Sequence, residues 1–126
     1  MAKWGDGGMI PKFRVWDRKL EIMYEANELI IQIKGSEILV AHDPTLHQFI
    51  NYTLMQSTGV KDKNGVEVYQ DDFVKDAQTN RYGIVCLGLE GFAIMWRHKE
   101  ENIHHCLTEF EVVGNIYENT ELLLEA

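Results

Sequence analysis

Metal binding is the first chemistry that the residue types of this sequence suggest. The side chains suited to zinc are five histidines and two cysteines, namely His42, His47, Cys86, His98, His104, His105 and Cys106. Zinc sites use spacings such as CxxC or HExxH that let two ligands converge from one element, and neither occurs here. On a predicted strand, the adjacent His104 and His105 point to opposite faces. We therefore predict no metal or other cofactor, and a metal-assisted hydrolase using His98, His104 or His105 stays an alternative.

Residues 61–74, KDKNGVEVYQDDFV, are the second stretch where charged side chains could bind a cation. A calcium loop that starts at Asp62 would need glycine at its sixth position, where Glu67 stands. It would also need a bidentate glutamate at its twelfth position, where Phe73 stands. These mismatches exclude an EF-hand loop.

The same stretch fits a β-hairpin much better. The pair Asn64-Gly65 predicts a type I′ turn, in which both central residues take positive φ. Asp71 and Asp72 are then solvated residues of the following turn. The predicted core residues of the stretch are Val66, Val68, Phe73 and Val74.

Nucleophilic and acid–base catalysis have weak support. The sequence has no GxSxG nucleophile elbow, and Cys106 beside His105 is a neighbour in sequence rather than in geometry. Carboxylates that could act in pairs are Asp71, Asp72, Glu109 and Glu111, but acidic residues are abundant in a chain with a net charge of −8. Phosphate-binding and dinucleotide-binding loops are missing from the sequence. We predict that the protein is not an enzyme.

Aromatic residues are the remaining signal of a binding surface. The residues we select for such a surface are Tyr82, Trp96, Arg97 and Tyr117. Their rings suit peptide binding or the stacking of single-stranded bases, although filling a small barrel is the simpler role. The acidic net charge argues against a nucleic-acid partner. Single-stranded nucleic-acid binding stays an alternative that requires Arg81, Arg97 and Lys99 on the same face.

The elements that must position these residues are short strands joined by polar turns. Nine strands are predicted, at residues 12–16, 20–24, 29–33, 37–41, 52–56, 82–87, 92–98, 104–107 and 110–113. Proline after Asp43 predicts a short helical turn over residues 44–49, and Asn119 predicts the N-cap of a final helical turn. This pattern indicates a mostly β fold with minor helix.

The predicted organisation is one compact unit with three parts. Residues 1–8 form a flexible leader, residues 9–58 a β-hairpin region, and residues 59–126 a small SH3-like barrel with a short C-terminal helical turn. No apolar run approaches the roughly 20 residues of a membrane span, and the N-terminus lacks the apolar core of a signal peptide. We expect a cytoplasmic protein with reduced cysteines and no membrane partner.

Three segments occur in a distinctive order: MIPKFRVWD at residues 9–17, LMQSTGVKDKNGVEVYQDDFVK at residues 54–75, and EVVGNIYENTELL at residues 111–123. Together they resemble the YopX family of phage and prophage proteins over residues 9–124. The resemblance implies a mostly β protein with a C-terminal SH3-type barrel in a bacterial host cell. It implies no catalytic residues, because the family carries no established activity.

The sequence departs from the family pattern at two positions. Gln70-Asp71 stands where many members have an acidic residue followed by glycine, so we expect no positive φ before Phe73. Thr120 stands where proline is common, and we expect the cap at Asn119 to remain. The function expected overall is that of a non-enzymatic accessory protein that binds a host or phage protein, including a second copy of itself.

Overall fold

The computed structural model describes residues 11–126, so the predicted leader lies outside the described residues. Strands account for 53% of these residues and helical segments for 9%, which confirms the mostly β prediction. The chain divides into two compact units, Met1–Gln56 and Ser57–Ala126. Each unit has a hydrophobic core of its own.

The N-terminal unit contains five strands and the first half of a sixth. They are β1 (Phe13–Asp17), β2 (Ile22–Tyr24), β3 (Leu29–Lys34), β4 (Glu37–His42), β5 (His47–Gln48) and β6 (Tyr52–Lys61). The strand β1 pairs antiparallel with β2 on one side and with the first half of β6 on the other. The strands β3, β4 and β5 form a separate antiparallel sheet in that order. Val15, Val40 and Phe49 are the buried centre of this unit.

The helical turn predicted over residues 44–49 is wrong. Residues 43–46 form a turn between β4 and β5, in which Leu46 takes a φ of 55°. The Thr45 hydroxyl oxygen accepts the His47 N–H at 3.3 Å and lies 2.9 Å from Nδ1 of His42. Proline fixes a φ that suits a β-turn as well as a first helical turn, so the signal at Pro44 was ambiguous.

The C-terminal unit contains the second half of β6 and six further strands. They are β7 (Glu67–Tyr69), β8 (Asp72–Asp76), β9 (Tyr82–Gly88), β10 (Gly91–Trp96), β11 (Glu100–Asn102) and β12 (Phe110–Asn115). Five of them form an antiparallel sheet in the order β11-β10-β9-β8-β12, which curls into a half-barrel. The SH3-type closure of this sheet stays a prediction.

The core of the C-terminal unit explains why β9 and β10 were easy to predict. Alternation along β10 places Ile94 and Trp96 on the face that packs against Val85 and other buried residues. Gly83 lies opposite Trp96 in the ladder. A Cβ atom on Gly83 would lie 2.7 Å from Ile94 Cγ2 and 2.8 Å from Trp96 Cε3, so only glycine fits there.

Several strands predicted in this unit differ from the structure. The strand predicted over residues 92–98 ends at Trp96. The strand predicted over residues 52–56 does not end at Gln56 but continues to Lys61 through a register shift, with Gly59 at a φ of 79°. Glycine permits this irregularity within a strand. The strand predicted over residues 104–107 is replaced by a 3₁₀ turn, Ile103–His105, where the Asn102 side-chain oxygen accepts the His104 N–H at 2.9 Å.

Candidate functional site

The hairpin between β6 and β7 does not have the predicted type I′ turn. Positive φ occurs at Gly65 (80°) but not at Asn64. The Gly65 N–H donates to the Asp62 carbonyl at 3.0 Å, and the Asp62 N–H donates to the Val66 carbonyl at 2.8 Å. These bonds define a three-residue turn with a glycine bulge, the next most common hairpin connection. The positive φ predicted for Gly65 is confirmed. The sequence did not reveal that the turn has three residues instead of two.

Asp62 is the residue that organises this hairpin. Its Oδ1 accepts the N–H groups of Asn64 and Val66, each at 2.8 Å. Its Oδ2 accepts the N–H of Val112 on β12, also at 2.8 Å. The carboxylate is buried. Both of its oxygens are engaged by backbone donors, so its role is to join the hairpin to β12.

The prediction that Asp71 and Asp72 are solvated turn residues is wrong. Asp72 is 1% exposed, and its Oδ2 accepts the Tyr69 N–H at 2.8 Å. Asp71 takes a φ of 72°, which contradicts the expected absence of positive φ before Phe73. Aspartate tolerates this left-handed conformation better than most residues. The Tyr117 hydroxyl fixes its side chain by donating to Oδ2 at 2.6 Å.

Three of the four predicted core residues in this stretch are confirmed. Val68, Phe73 and Val74 are fully buried. Val66 is 47% exposed, so its assignment to the core was wrong. It falls in the hairpin connection rather than in β7, because the turn is one residue longer than predicted.

The GNIYEN segment is a tightly bonded turn after β12. The Asn115 side-chain oxygen accepts the Tyr117 N–H at 3.0 Å, and the Asn119 side-chain oxygen accepts the Asn115 N–H at 3.1 Å. Asn119 occupies the N-cap position of the 3₁₀ turn Thr120–Leu124, but its side chain does not cap that turn. The predicted capping bond is therefore wrong. A Cβ on Gly114 would collide with the Asn119 side chain, so glycine is required there.

The histidines and cysteines do not converge. Residues 11–126 contain no group of three or more His, Cys, Asp or Glu side chains placed to hold a metal ion. His104 and His105 are exposed on their 3₁₀ turn. Cys86 and Cys106 are half-buried and form no disulfide, and burial raises the pKa of both thiols. A raised pKa keeps a thiol protonated, so neither cysteine has the features of an activated nucleophile.

Glu101 is a key residue that the sequence did not reveal. Its Oε1 accepts the Trp96 indole N–H and the Thr108 hydroxyl, each at 2.8 Å, and its Oε2 accepts the Leu107 N–H at 3.2 Å. Burial alone would raise the pKa of this carboxyl, but the three donors lower it below its ordinary value. Nothing in the spacing of these residues signals the network.

The four residues selected for a binding surface do not all lie together. Trp96 is 8% exposed and packs in the core, and it also lines the smaller of two adjoining clefts with Arg97. Tyr117 lies at the Asp71 turn. Tyr82 and Arg97 line one cleft of about 250 Å³, and Arg97 also lines an adjoining cleft of about 220 Å³. Their role in binding stays a prediction.

A second surface of interest lies on the hairpin of β3 and β4 and is apolar. We define the hairpin surface by its exposed apolar side chains, with Ile33 and Ile38 on one face of the hairpin and Ile30 and Leu39 on the other. Ile33 and Ile38 are paired across the two strands and are 55% and 48% exposed. Within residues 11–126, no strand pairs with the outer edge of β3. The apolar run Leu29–Ile31 in the sequence was a signal of this surface, because a strand with one solvated face usually alternates apolar and polar residues.

The fold and these sites define a class of small, antiparallel β protein whose polar turn residues Asp62, Asp71 and Asn119 are engaged in internal hydrogen bonds. No helix among the described residues is long and apolar enough to cross a membrane. The sequence profile described as YopX protein matches residues 12–124, and the chain belongs to the YopX family. The predicted resemblance is thereby confirmed.

Two solved structures are similar to this chain over most of its length. Protein EF1440 from Enterococcus faecalis has 26% identity and a TM-score of 0.61, with 91% of this chain and 99% of that chain covered. The yopX protein from Bacillus subtilis has 20% identity and a TM-score of 0.68, with 88% of this chain and 96% of that chain covered. At this level of identity the similarity shows the fold alone. The comparison with curated protein sequences gives no match.

Proposed function

We propose that this YopX-family protein is a non-enzymatic accessory protein of a phage or prophage that acts in the bacterial cytoplasm by binding another protein. The observation that carries the proposal is the hairpin surface beside the open edge of β3. Such an edge offers backbone hydrogen bonds to an added strand, and the flanking apolar side chains add burial.

The composition of β3 supports this role. Its residues Leu29–Lys34 carry one charge, at Lys34 next to the turn. Edge strands that must stay unpaired are usually protected by charges, proline or a bulge. The five residues before Lys34 have no such protection, and β3 pairs with β4 in unbroken register. An open apolar edge of this kind favours pairing with another chain.

A second copy of this chain is the first partner that we propose for this edge. Antiparallel pairing of β3 with β3 of a second copy is self-complementary, because a two-fold axis brings the same residues together from both sides. It would bury Ile33 and Ile30 of both copies along one edge. An apolar strand of a host or phage protein would use the same edge.

The test compares association before and after charges are placed on the hairpin surface. The variant carries Ile33→Lys and Ile38→Lys, and the matched control carries Leu89→Lys, at a fully exposed position in the turn after β9. We expect light scattering after size exclusion to give a dimer for the unmodified protein and the control, and a monomer for the double variant. Circular dichroism verifies that all three are folded.

A second arm covers a partner from the cell. Tagged forms of the three proteins are recovered from phage-infected or prophage-induced cells. A protein partner must be retained by the unmodified chain and by Leu89→Lys, and lost from the double variant. The proposal is refuted if the unmodified protein is monomeric and no recovered protein shows this dependence.

A further inference from the structure

A basic cleft in the C-terminal unit is a separate open surface. We define it by Arg81, Tyr82, Arg97, His98 and Lys99, which line the two adjoining clefts described above. Arg81, Arg97 and His98 line both of them. Binding of single-stranded nucleic acid would require Arg81, Arg97 and Lys99 on one face with an aromatic ring. These three side chains line the adjoining clefts together with Tyr82.

The sheet brings these residues together at one end of β9 and β10. Gly83 is paired with Trp96, so Tyr82 and Arg97, one residue further along each strand, emerge side by side. The turn after β10 is closed by the Trp96 N–H, which donates to the Lys99 carbonyl at 2.9 Å. The cleft is therefore built on paired strands rather than on a long loop.

The turn between β8 and β9 supplies the other wall of the cleft. The Asp76 N–H donates to the Arg81 carbonyl at 2.8 Å, and the Asn80 N–H donates to the Asp76 carbonyl at 2.9 Å. Asn80 takes a φ of 61°, which reverses the chain just before Arg81. These backbone bonds hold Arg81 beside the turn that carries Arg97.

The positive charge of the cleft stands out against the rest of its unit. Residues 57–126 contain six Lys and Arg against thirteen Asp and Glu, and three of those six basic residues line the cleft. In the part of the chain that the structure describes, the guanidinium groups of Arg81 and Arg97 make no hydrogen bond or ion pair. Two arginines without an ion pair in one cleft are unexpected in a unit that contains more than twice as many acidic as basic residues.

Two of the three neighbouring carboxylates have other partners. Asp76 lines the cleft, but its Oδ1 accepts the N–H groups of Gln78 and Thr79 at 2.8 Å and 3.4 Å. The Lys99 Nζ lies 3.7 Å from Glu101 Oε1, which is a long ion-pair distance. The same oxygen accepts the Trp96 indole N–H. Glu125 also lines the larger cleft and is exposed, and within the described residues its carboxylate makes no ion pair with Arg81 or Arg97. Both guanidinium groups are therefore unpaired in the described structure.

We propose that the basic cleft binds a phosphate group, either free or as a phosphate ester. A guanidinium group presents planar paired donors that match phosphate oxygens, and two of them line the same concavity. A volume of about 250 Å³ holds a phosphate with part of an attached group. Tyr82 lines the same cleft and offers an aromatic ring on which the base of a nucleoside ester would stack. This inference does not rest on the proposed function, which concerns the other unit.

The experiment is an NMR titration of the full ¹⁵N-labelled chain with three probes: inorganic phosphate, adenosine monophosphate and a ten-residue oligothymidylate. We expect saturable shifts of the amides in residues 76–82 and 96–99. The variant Arg81→Gln with Arg97→Gln should lose about tenfold or more in affinity. The matched control, Lys61→Gln with Lys63→Gln, removes the same charge from the hairpin of the same unit and should retain binding.

The three probes identify the source of the phosphate. Equal binding of phosphate and the mononucleotide indicates recognition of the phosphate alone, and tighter binding of the mononucleotide adds a contact to the base. Tighter binding of the oligonucleotide, with a steep salt dependence, identifies the ester as a nucleic-acid backbone. The proposal is overturned if none of the probes gives saturable shifts, or if the lysine control weakens binding as much as the arginine variant. Dispersed spectra of both variants show that folding is intact.

Discussion

Replacing Asp62 by alanine should destabilise the C-terminal unit, because one carboxylate serves three backbone donors. Two of the donors, Asn64 and Val66, belong to the hairpin turn, and the third, Val112, belongs to β12. The substitution leaves the fold's apolar core unchanged. It therefore isolates the contribution of the bonds that join the hairpin to β12.

The expected loss in the free energy of unfolding is about 3 kcal/mol. The bond from Val112 is counted at about 2 kcal/mol, since a hydrogen bond to a charged group contributes about 1.5 to 3 kcal/mol. The bonds from Asn64 and Val66 are counted at about 0.5 kcal/mol each, because water can replace the carboxylate at the exposed turn. With a urea slope of about 2 kcal/mol per molar, the unfolding midpoint should fall by about 1.5 M.

The assay is urea unfolding followed by circular dichroism, with two further variants. Asp62→Asn has a single acceptor oxygen, so it cannot serve both the turn and Val112, and we expect a loss between those of the alanine variant and the unmodified protein. Glu109→Ala is the control, since its carboxylate is exposed and makes no hydrogen bond in the described residues. It should change stability by less than about 0.5 kcal/mol. A value that small for Asp62→Ala, or full stability in Asp62→Asn, would refute the reasoning.

Two further predictions concern the core of the same unit. Gly83→Ala should lower the free energy of unfolding by about 1 to 3 kcal/mol, which is the usual cost of overpacking a core. The new methyl group would overlap the side chains of Ile94 and Trp96. Thermal unfolding measures the loss. Glu101→Gln should remove an acid-sensitive part of stability. The pKa of Glu101 is lowered on folding, so its contribution is present above its ordinary value of 4.5 and is lost as the pH falls through the folded value. The difference in unfolding free energy between the two proteins should be constant near neutral pH and shrink below pH 4.5; a difference that does not change with pH would contradict this assignment.

The strands were predictable where apolar and polar side chains alternate along the sequence and where the turn contains a residue, such as glycine, that favours one turn type. The hairpin of β3 and β4 follows from apolar strands around Gly35, which takes a φ of 61°. The pair β9 and β10 follows from alternation that buries Ile94 and Trp96. In both cases the local preference of the residues for strand or turn agrees with the tertiary packing. Such agreement allows a fold to be predicted from its sequence.

The prediction failed where a side chain decides the backbone through a distant bond. Pro44 is compatible with a helix start and with a turn, and only the pairing of β4 with β5 selects the turn. Asp71 adopts a conformation that favours glycine, and the bond from Tyr117, 46 residues away in sequence, holds it. Spacing along the chain contains no information about such a contact. The Glu101 network joins residues only 5 to 7 positions apart, but it depends on the path of the chain after β11, where a strand was wrongly predicted over residues 104–107.

The residues that identify the family and the residues that remain open to a partner are different sets. Asp62, Asp71 and Asn119 lie in the family segments, and each is occupied by internal hydrogen bonds. Their polarity is used to fix turns, so these family segments account for the fold. The open groups lie outside those segments: Ile33, Ile38, Arg81 and Arg97. If these surfaces bind ligands, relatives with the same turns can differ in what they bind, because exchanging an exposed isoleucine or arginine leaves the turn network intact.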